Sequence, residues 1–284
     1  KESSAASDVY KRQGPFFPGY QDSILRRCDK SWWSELLYIH NFVPFDSDEV
    51  CMGWTWYLGN DMVFFLISPF IMMAFYRSRK LGWGLVAALM GASFAVTMYL
   101  ALHDDLGIYL FAAAEYKKYT FYSYSKPYTR LPAYLVGFSM GFWYQFRKKA
   151  GRPRPSEGFL AALCVLGVCL LLFTLFIPVT DYTVPDKWGP VTNAVYQTFS
   201  RPLWGVGLAC CTFTFLEGGL PWVNAFLSRR FWIPLARLTY GAYLVHPLII
   251  KHVAGTATAF YHFGWYDVFY RSVGNVVLSF GWSF

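Results

Sequence analysis

Residues Trp54 to Ile71, WTWYLGNDMVFFLISPFI, decide how the rest of the chain is read. The stretch is apolar almost without a break and carries one carboxylate, Asp61, near its start. Its length as a helix comes close to the ~20 residues that cross a bilayer core. A charge inside hydrocarbon costs several kcal/mol unless it is paired or hydrated, which makes Asp61 a functional candidate. The stretch also divides the chain. Before it lies a polar, cysteine-bearing segment; after it come apolar segments almost to the last residue.

The composition points the same way. The 284 residues are 55% hydrophobic, 21% aromatic and only 15% charged. Soluble domains carry about 25% charged residues. A water-soluble core of this length has no use for so many Phe, Trp and Tyr, so the chain reads as an integral membrane protein. In a soluble protein the net charge of +8 would suggest nucleic acid. Here it reflects Lys and Arg kept in cytoplasmic loops, and no nucleic-acid partner is expected. The chain starts at Lys1 and stops inside the apolar run VVLSFGWSF, and we read it as part of a longer protein.

Outward from Trp54, residues 1–53 form an extracellular or lumenal segment, the tail of an upstream region. Within it SWWSELLYIHNFVPF (Ser31 to Phe45) is too short to span and suits the interface. Residues 54–284 form a transmembrane domain, truncated at both ends. The fold class expected is all-α, a multi-pass helical bundle of about seven spans. These lie near 56–76, 82–102, 131–146, 159–178, 202–216, 233–250 and from 268 onward. Residues 179–201 read as a polar loop. Gly137 and Gly141 form a GxxxG pair that would let another helix approach closely.

Arg77/Arg79/Lys80, the run Arg147 to Arg154, and Arg229/Arg230 fall in alternate connections, which places those connections in the cytoplasm. The N-terminal segment and residues 103–130, 179–201 and 251–266 then face outside or the lumen. Cys28 and Cys51 lie in that oxidising compartment and can pair. Cys164, Cys169, Cys210 and Cys211 fall in apolar runs as buried thiols. No CxxC and no Cys/His spacing suits zinc.

Few polar groups fall inside the spans, and each has two readings. Asp61, with Asn60 beside it, either orients a catalytic base or substrate hydroxyl, or caps a helix and pairs with Arg130 or Arg201. His246 lies deep in LARLTYGAYLVHPLII, with Tyr243 a turn earlier on the same face. Pro247 has no N–H, so the Tyr243 carbonyl loses its helical partner. His246 either handles a proton or faces substrate, or it satisfies that carbonyl. Arg130 and Arg237 suit an anionic group, although Arg237 also fits a topogenic charge. His40, His103, His252 and His262 read as surface residues.

Three stretches in order resemble the acyltransferase 3 family of membrane proteins. They are WTWYLGNDMVFF, KPYTRLPAYLVGFSMGF and LARLTYGAYLVHPLI. Asp61 stands where the family usually has Glu. Arg130 and Gly137 match an arginine and a glycine at a span head, and Tyr240, Tyr243, Leu244, His246 and Pro247 match a tyrosine–leucine–histidine–proline span. The piece CDKSWWSELLYIHNF, followed by Cys51 and WTWYL, is similar to the animal branch called nose-resistant-to-fluoxetine proteins.

The resemblance implies acyl transfer from a carrier such as acyl-CoA to a hydroxyl-bearing acceptor, a transfer of groups other than amino-acyl groups. Asp61 and His246 are then the catalytic candidates, and Asn60, Arg130, Tyr243 and Arg237 the substrate-binding ones. The family's principal histidine lies on an earlier span, so these residues support the chemistry. No bound cofactor is expected; the partners are membrane lipids, the acyl donor and a lipid or small-molecule acceptor. The membrane is the plasma membrane or the endoplasmic reticulum. A rival reading keeps the fold for lipid or small-molecule transport without catalysis.

Overall fold

A computed structural model describes residues 26–44, 49–107, 119–182, 188–255 and 264–284. Among these residues there is helix and no strand. In chain order the helices are α1 (Arg26–Leu36), α2 (Trp56–Arg77), α3 (Arg79–His103), α4 (Pro127–Lys149), α5 (Glu157–Phe176), α6 (Val179–Tyr182), α7 (Pro190–Leu216), α8 (Pro221–Leu227), α9 (Trp232–Gly255) and α10 (Trp265–Ser283). A 3-10 turn covers Gly53–Thr55 and a π-helical turn Thr120–Tyr124.

Seven of the described helices run to 19 residues or more, at the positions of the seven expected spans. Gly53–Arg77, α3, α5 and α9 are apolar and long enough to cross a membrane. A fifth span results if α7 and α8, bent by 98° at a short break, count as one. The chain is an all-α integral membrane protein.

One boundary differs from the expectation. α7 starts at Pro190, not near Pro202, and Pro202 lies inside it. Hydropathy takes 190–201 for a loop because its inward face is polar. Asn193, Ala194, Gln197 and Thr198 are buried at helical spacing. The Gln197 Nε2 donates to the Leu106 carbonyl at 2.6 Å.

The chain falls into two compact units. In Tyr57–Leu227, α7 packs against α3, α4 and α5, and α3 packs against α4. Ile71, Phe75, Val86 and Leu135 form one buried cluster. A Cβ at Gly82 would collide with the Phe75 ring, so only glycine fits there. In lipid such packing, more than escape from water, holds helices together.

A close glycine-mediated helix crossing lies elsewhere than at the GxxxG pair. A Cβ on Gly137 or Gly141 would meet nothing within 4 Å. α5 and α7 instead touch through Gly167 and Gly207. A Cβ on Gly167 would lie 2.7 Å from the Gly207 carbonyl, and one on Gly207 2.9 Å from the Gly167 carbonyl. At the far end of this unit Arg147 Nε meets Glu217 at 3.1 Å, and Arg154 Nε donates to the Glu217 carbonyl at 2.7 Å. Part of the basic run thus fastens the turn after α7.

The other unit joins Lys1–Trp56 to Ser228–Phe284. Here α9 packs along α10, with Gly241 close against Ser283. Cys28 and Cys51 are joined by a disulfide, with Cα atoms 4.2 Å apart. Trp32, Leu36 and Leu37 stay exposed on one side of the α1 region, while Ser31, Ser34 and His40 turn inward.

Candidate functional site

The His246 side chain does two things at once. Its Nδ1 lies 2.8 Å from the Tyr243 carbonyl and 3.2 Å from the Ala242 carbonyl. A carbonyl can only accept, so Nδ1 carries the proton. Pro247 creates this arrangement, because it provides no N–H for the Tyr243 carbonyl. The bond satisfies the helix and fixes the tautomer. Nε2 is left with a lone pair and makes no hydrogen bond among the described residues. His246 lines a crevice of about 370 Å³ between α9 and α10, together with Tyr243, Thr239, Ser272, Asn275 and Ser279.

Tyr243 is positioned from outside its own helix. Its hydroxyl donates to the Trp54 carbonyl. The 3-10 turn that holds Trp54 is fixed by a buried polar cluster. Glu35 accepts from the Met52 N–H at 3.0 Å and from the Thr55 hydroxyl at 2.6 Å. His40 Nε2 lies 3.0 Å from the Thr55 carbonyl, and its Nδ1 lies 3.1 Å from Glu35. Asn41 Nδ2 donates to the Trp56 carbonyl at 2.7 Å. Lys251, from α9, sits 4.8 Å over the Trp54 ring. The segment before the first span is therefore a built cap behind Tyr243, and it stabilises the site from one side.

This corrects the expectation for His40, which is buried to 2% exposure and is not a surface residue. Its neighbours Ile39 and Asn41 carry no signal of burial, and the Glu35–Thr55 contact makes it interior. His103 and His252 are exposed. His262 lies outside the described residues.

In the other unit, Asp61 sits exposed on α2, hydrogen-bonded to the Tyr57 hydroxyl one turn back. It makes no ion pair with Arg130 or Arg201. Asn60 is buried at 2% exposure. Arg130, at the head of α4, turns its Nε and Nη2 onto the Tyr124 carbonyl at 2.9 and 2.6 Å. Arg237 is exposed on α9 and is not part of the His246 crevice.

Reading the sequence missed the polar face of α10. Asn275, Ser279 and Ser283 recur every four residues, a helical spacing that was available as a signal. Ser279 donates to the Asn275 carbonyl and Ser283 to the Ser279 carbonyl, both at 2.6 Å. Among the described residues no group of three or more His, Cys, Asp or Glu could hold a metal ion.

The chain matches the model of the acyltransferase 3 family, an acyltransferase domain, over residues 20–284. It is 27% identical over 259 residues to nose resistant to fluoxetine protein 6 of Caenorhabditis elegans, covering 86% of this chain and 30% of that protein. It is 24% identical over 268 residues to regulator of hypoxia-inducible factor 1 of the same organism, covering 85% of this chain and 50% of that protein. The chain thus spans half or less of the length of these relatives. No solved structure matches it.

Proposed function

Since the chain belongs to the acyltransferase 3 family, we propose that it takes part in moving an acyl group from a carrier such as acyl-CoA to a hydroxyl-bearing acceptor. The observation that carries this reading is the division of labour within His246. Nδ1 is tied to the Tyr243 carbonyl, and Nε2 stays free in a largely apolar crevice that Thr239, Ser272, Asn275 and Ser279 supply with a few polar groups. An imidazole held in one tautomer can accept a hydrogen bond from an acceptor hydroxyl at Nε2 and point its oxygen at a thioester.

In the reaction the hydroxyl oxygen attacks the thioester carbonyl carbon. The C–S bond breaks, the hydroxyl proton passes to a base, and the thiol leaves protonated. A positioned acid or base is worth about 10²–10⁴-fold in such a step. Tyr243 and Asn275 flank the acceptor in this scheme. Apart from that crevice, and each within its own unit, Asp61 and Asn60 orient a histidine or a hydroxyl, and Arg130 and Arg237 meet anionic groups. The acyl donor is acyl-CoA, the acceptor is a lipid or small molecule, and the membrane is the plasma membrane or the endoplasmic reticulum.

The test is an acyl-transfer assay on the full-length protein in membranes, with labelled acyl-CoA and a lipid extract. Label transfer that falls at least about 100-fold in His246→Ala is the expected result. No transfer by the wild type, with substrate uptake that survives His246→Ala, would replace this reading with transport.

A further inference from the structure

We infer that the crevice between α4, α5 and α7 binds an anionic phospholipid, with Arg201 and Arg130 at its phosphate. Arg201 lies inside α7. Its Nη2 donates to two neutral hydroxyls, Tyr119 Oη at 3.2 Å and Ser123 Oγ at 3.3 Å. Its Nη1 is buried and has no hydrogen-bond partner. Among the described residues no carboxylate lies within ion-pairing distance of it. A guanidinium in a membrane helix is costly unless an acceptor meets it.

The same crevice holds Arg130. It has a volume of about 340 Å³ and is also lined by Tyr196, Ser200 and Trp204. Two guanidiniums facing one space repel each other, and an anion between them turns the repulsion into two attractions. Planar, forked arginines suit the oxygens of a phosphate.

A second crevice farther along the same side of α4 selects a lipid over free phosphate. Along α4 the residues that follow Arg130 and Ala133 on this side are Val136 and Met140. They line a second, apolar crevice of about 270 Å³, again formed by α4, α5 and α7, with Leu163, Val206 and Phe213. A charged head site followed by a hydrocarbon groove fits a phosphate ester carrying an acyl chain. The inference deepens the role proposed for Arg130, and it needs no acyl transfer, since binding is read with no acyl donor present.

The test uses the full-length protein in detergent micelles. Phosphatidylserine or phosphatidylcholine is added and retained lipid is counted by native mass spectrometry, with inorganic phosphate as a parallel competitor. Wild type is expected to retain phosphatidylserine over phosphatidylcholine by about tenfold, and Arg201→Gln to remove that preference. Lys149→Gln, an exposed charge elsewhere on α4, should leave it unchanged. Ser200→Glu places a carboxylate within the crevice and should abolish retention without lowering the melting temperature, which covers the case in which Arg201→Gln fails to fold. Equal retention by wild type and Ser200→Glu would overturn the proposal. Full displacement by millimolar inorganic phosphate would assign the site to a free anion and overturn its lipid part. Lipid retention without acyl transfer would count against the enzymatic reading and leave this one standing.

Discussion

His246 Nδ1 donates to the carbonyl of Tyr243, the same carbonyl that Pro247 deprives of its helical partner. Histidine and proline therefore act as a pair. The proline opens an acceptor inside a span, and the histidine fills it with one nitrogen while its other nitrogen stays available to a ligand.

Pro247→Ala separates the two roles. It restores an N–H to the helix and removes a residue that costs ~3 kcal/mol in a helix interior. The new N–H competes with His246 for the Tyr243 carbonyl, so the ring loses its fixed orientation. Melting temperature should stay level or rise while acyl transfer falls about tenfold or more. A fall in both together would mean that the kink matters only for folding.

Tyr243→Phe removes the hydroxyl that reaches the Trp54 carbonyl. One buried hydrogen bond is worth about 1 kcal/mol net, so global stability should change little. Protease cleavage or hydrogen exchange within residues 49–55 should rise, because the 3-10 turn loses one of its ties to α9 and keeps the contact of Lys251 with the Trp54 ring. No change in that turn would show that Tyr243 does not hold the cap.

Glu35→Gln tests the cap from its centre. Glu35 accepts from Met52 and Thr55 and faces His40, all of them buried or half-buried. Leaving buried donors unmatched costs about 1–3 kcal/mol. Thermal unfolding of the cap, read by a probe at Trp54, should shift down by that amount. Cys28→Ser with Cys51→Ser should cost the cap a similar ~3 kcal/mol by releasing its loop.

Gly167→Leu and Gly137→Leu give opposite outcomes. At Gly167 the new side chain must enter the space of the Gly207 carbonyl, and overpacking of that kind costs about 1–3 kcal/mol or more. At Gly137 it meets open space. Melting in detergent should separate the two variants, the first well below wild type and the second near it.

Lys126 gives a pH dependence. It is buried at 4% exposure just before α4, and burial pushes its ammonium below the ordinary lysine value. The unfolded chain then binds the proton more tightly than the folded one. Stability should rise with pH from the lowered value up to the ordinary one, and the penalty should be fully present below both. Lys126→Met should flatten the alkaline limb of a melting-temperature profile. An unchanged limb would assign the rise to another group.

The sequence by itself determined the fold class, the approximate positions of the long helices, and the pairing of Tyr243, His246 and Pro247. Each rests on local patterns: runs of apolar residues, charges at their ends, and a proline four residues after a carbonyl. The tertiary structure decided what local pattern does not carry. α7 begins at Pro190 because its polar face turns toward other helices, and hydropathy cannot tell a polar face turned inward from a loop. Gly167 and Gly207 make the close crossing, and Gly137 and Gly141 do not, because contact depends on which face meets a neighbour. His40 is interior because Glu35 and Thr55 close around it, and Arg201 is a binding candidate because its described neighbours offer hydroxyls and no carboxylate. Burial and pairing are properties of surroundings assembled from distant parts of the chain, so they appear only once those parts are together.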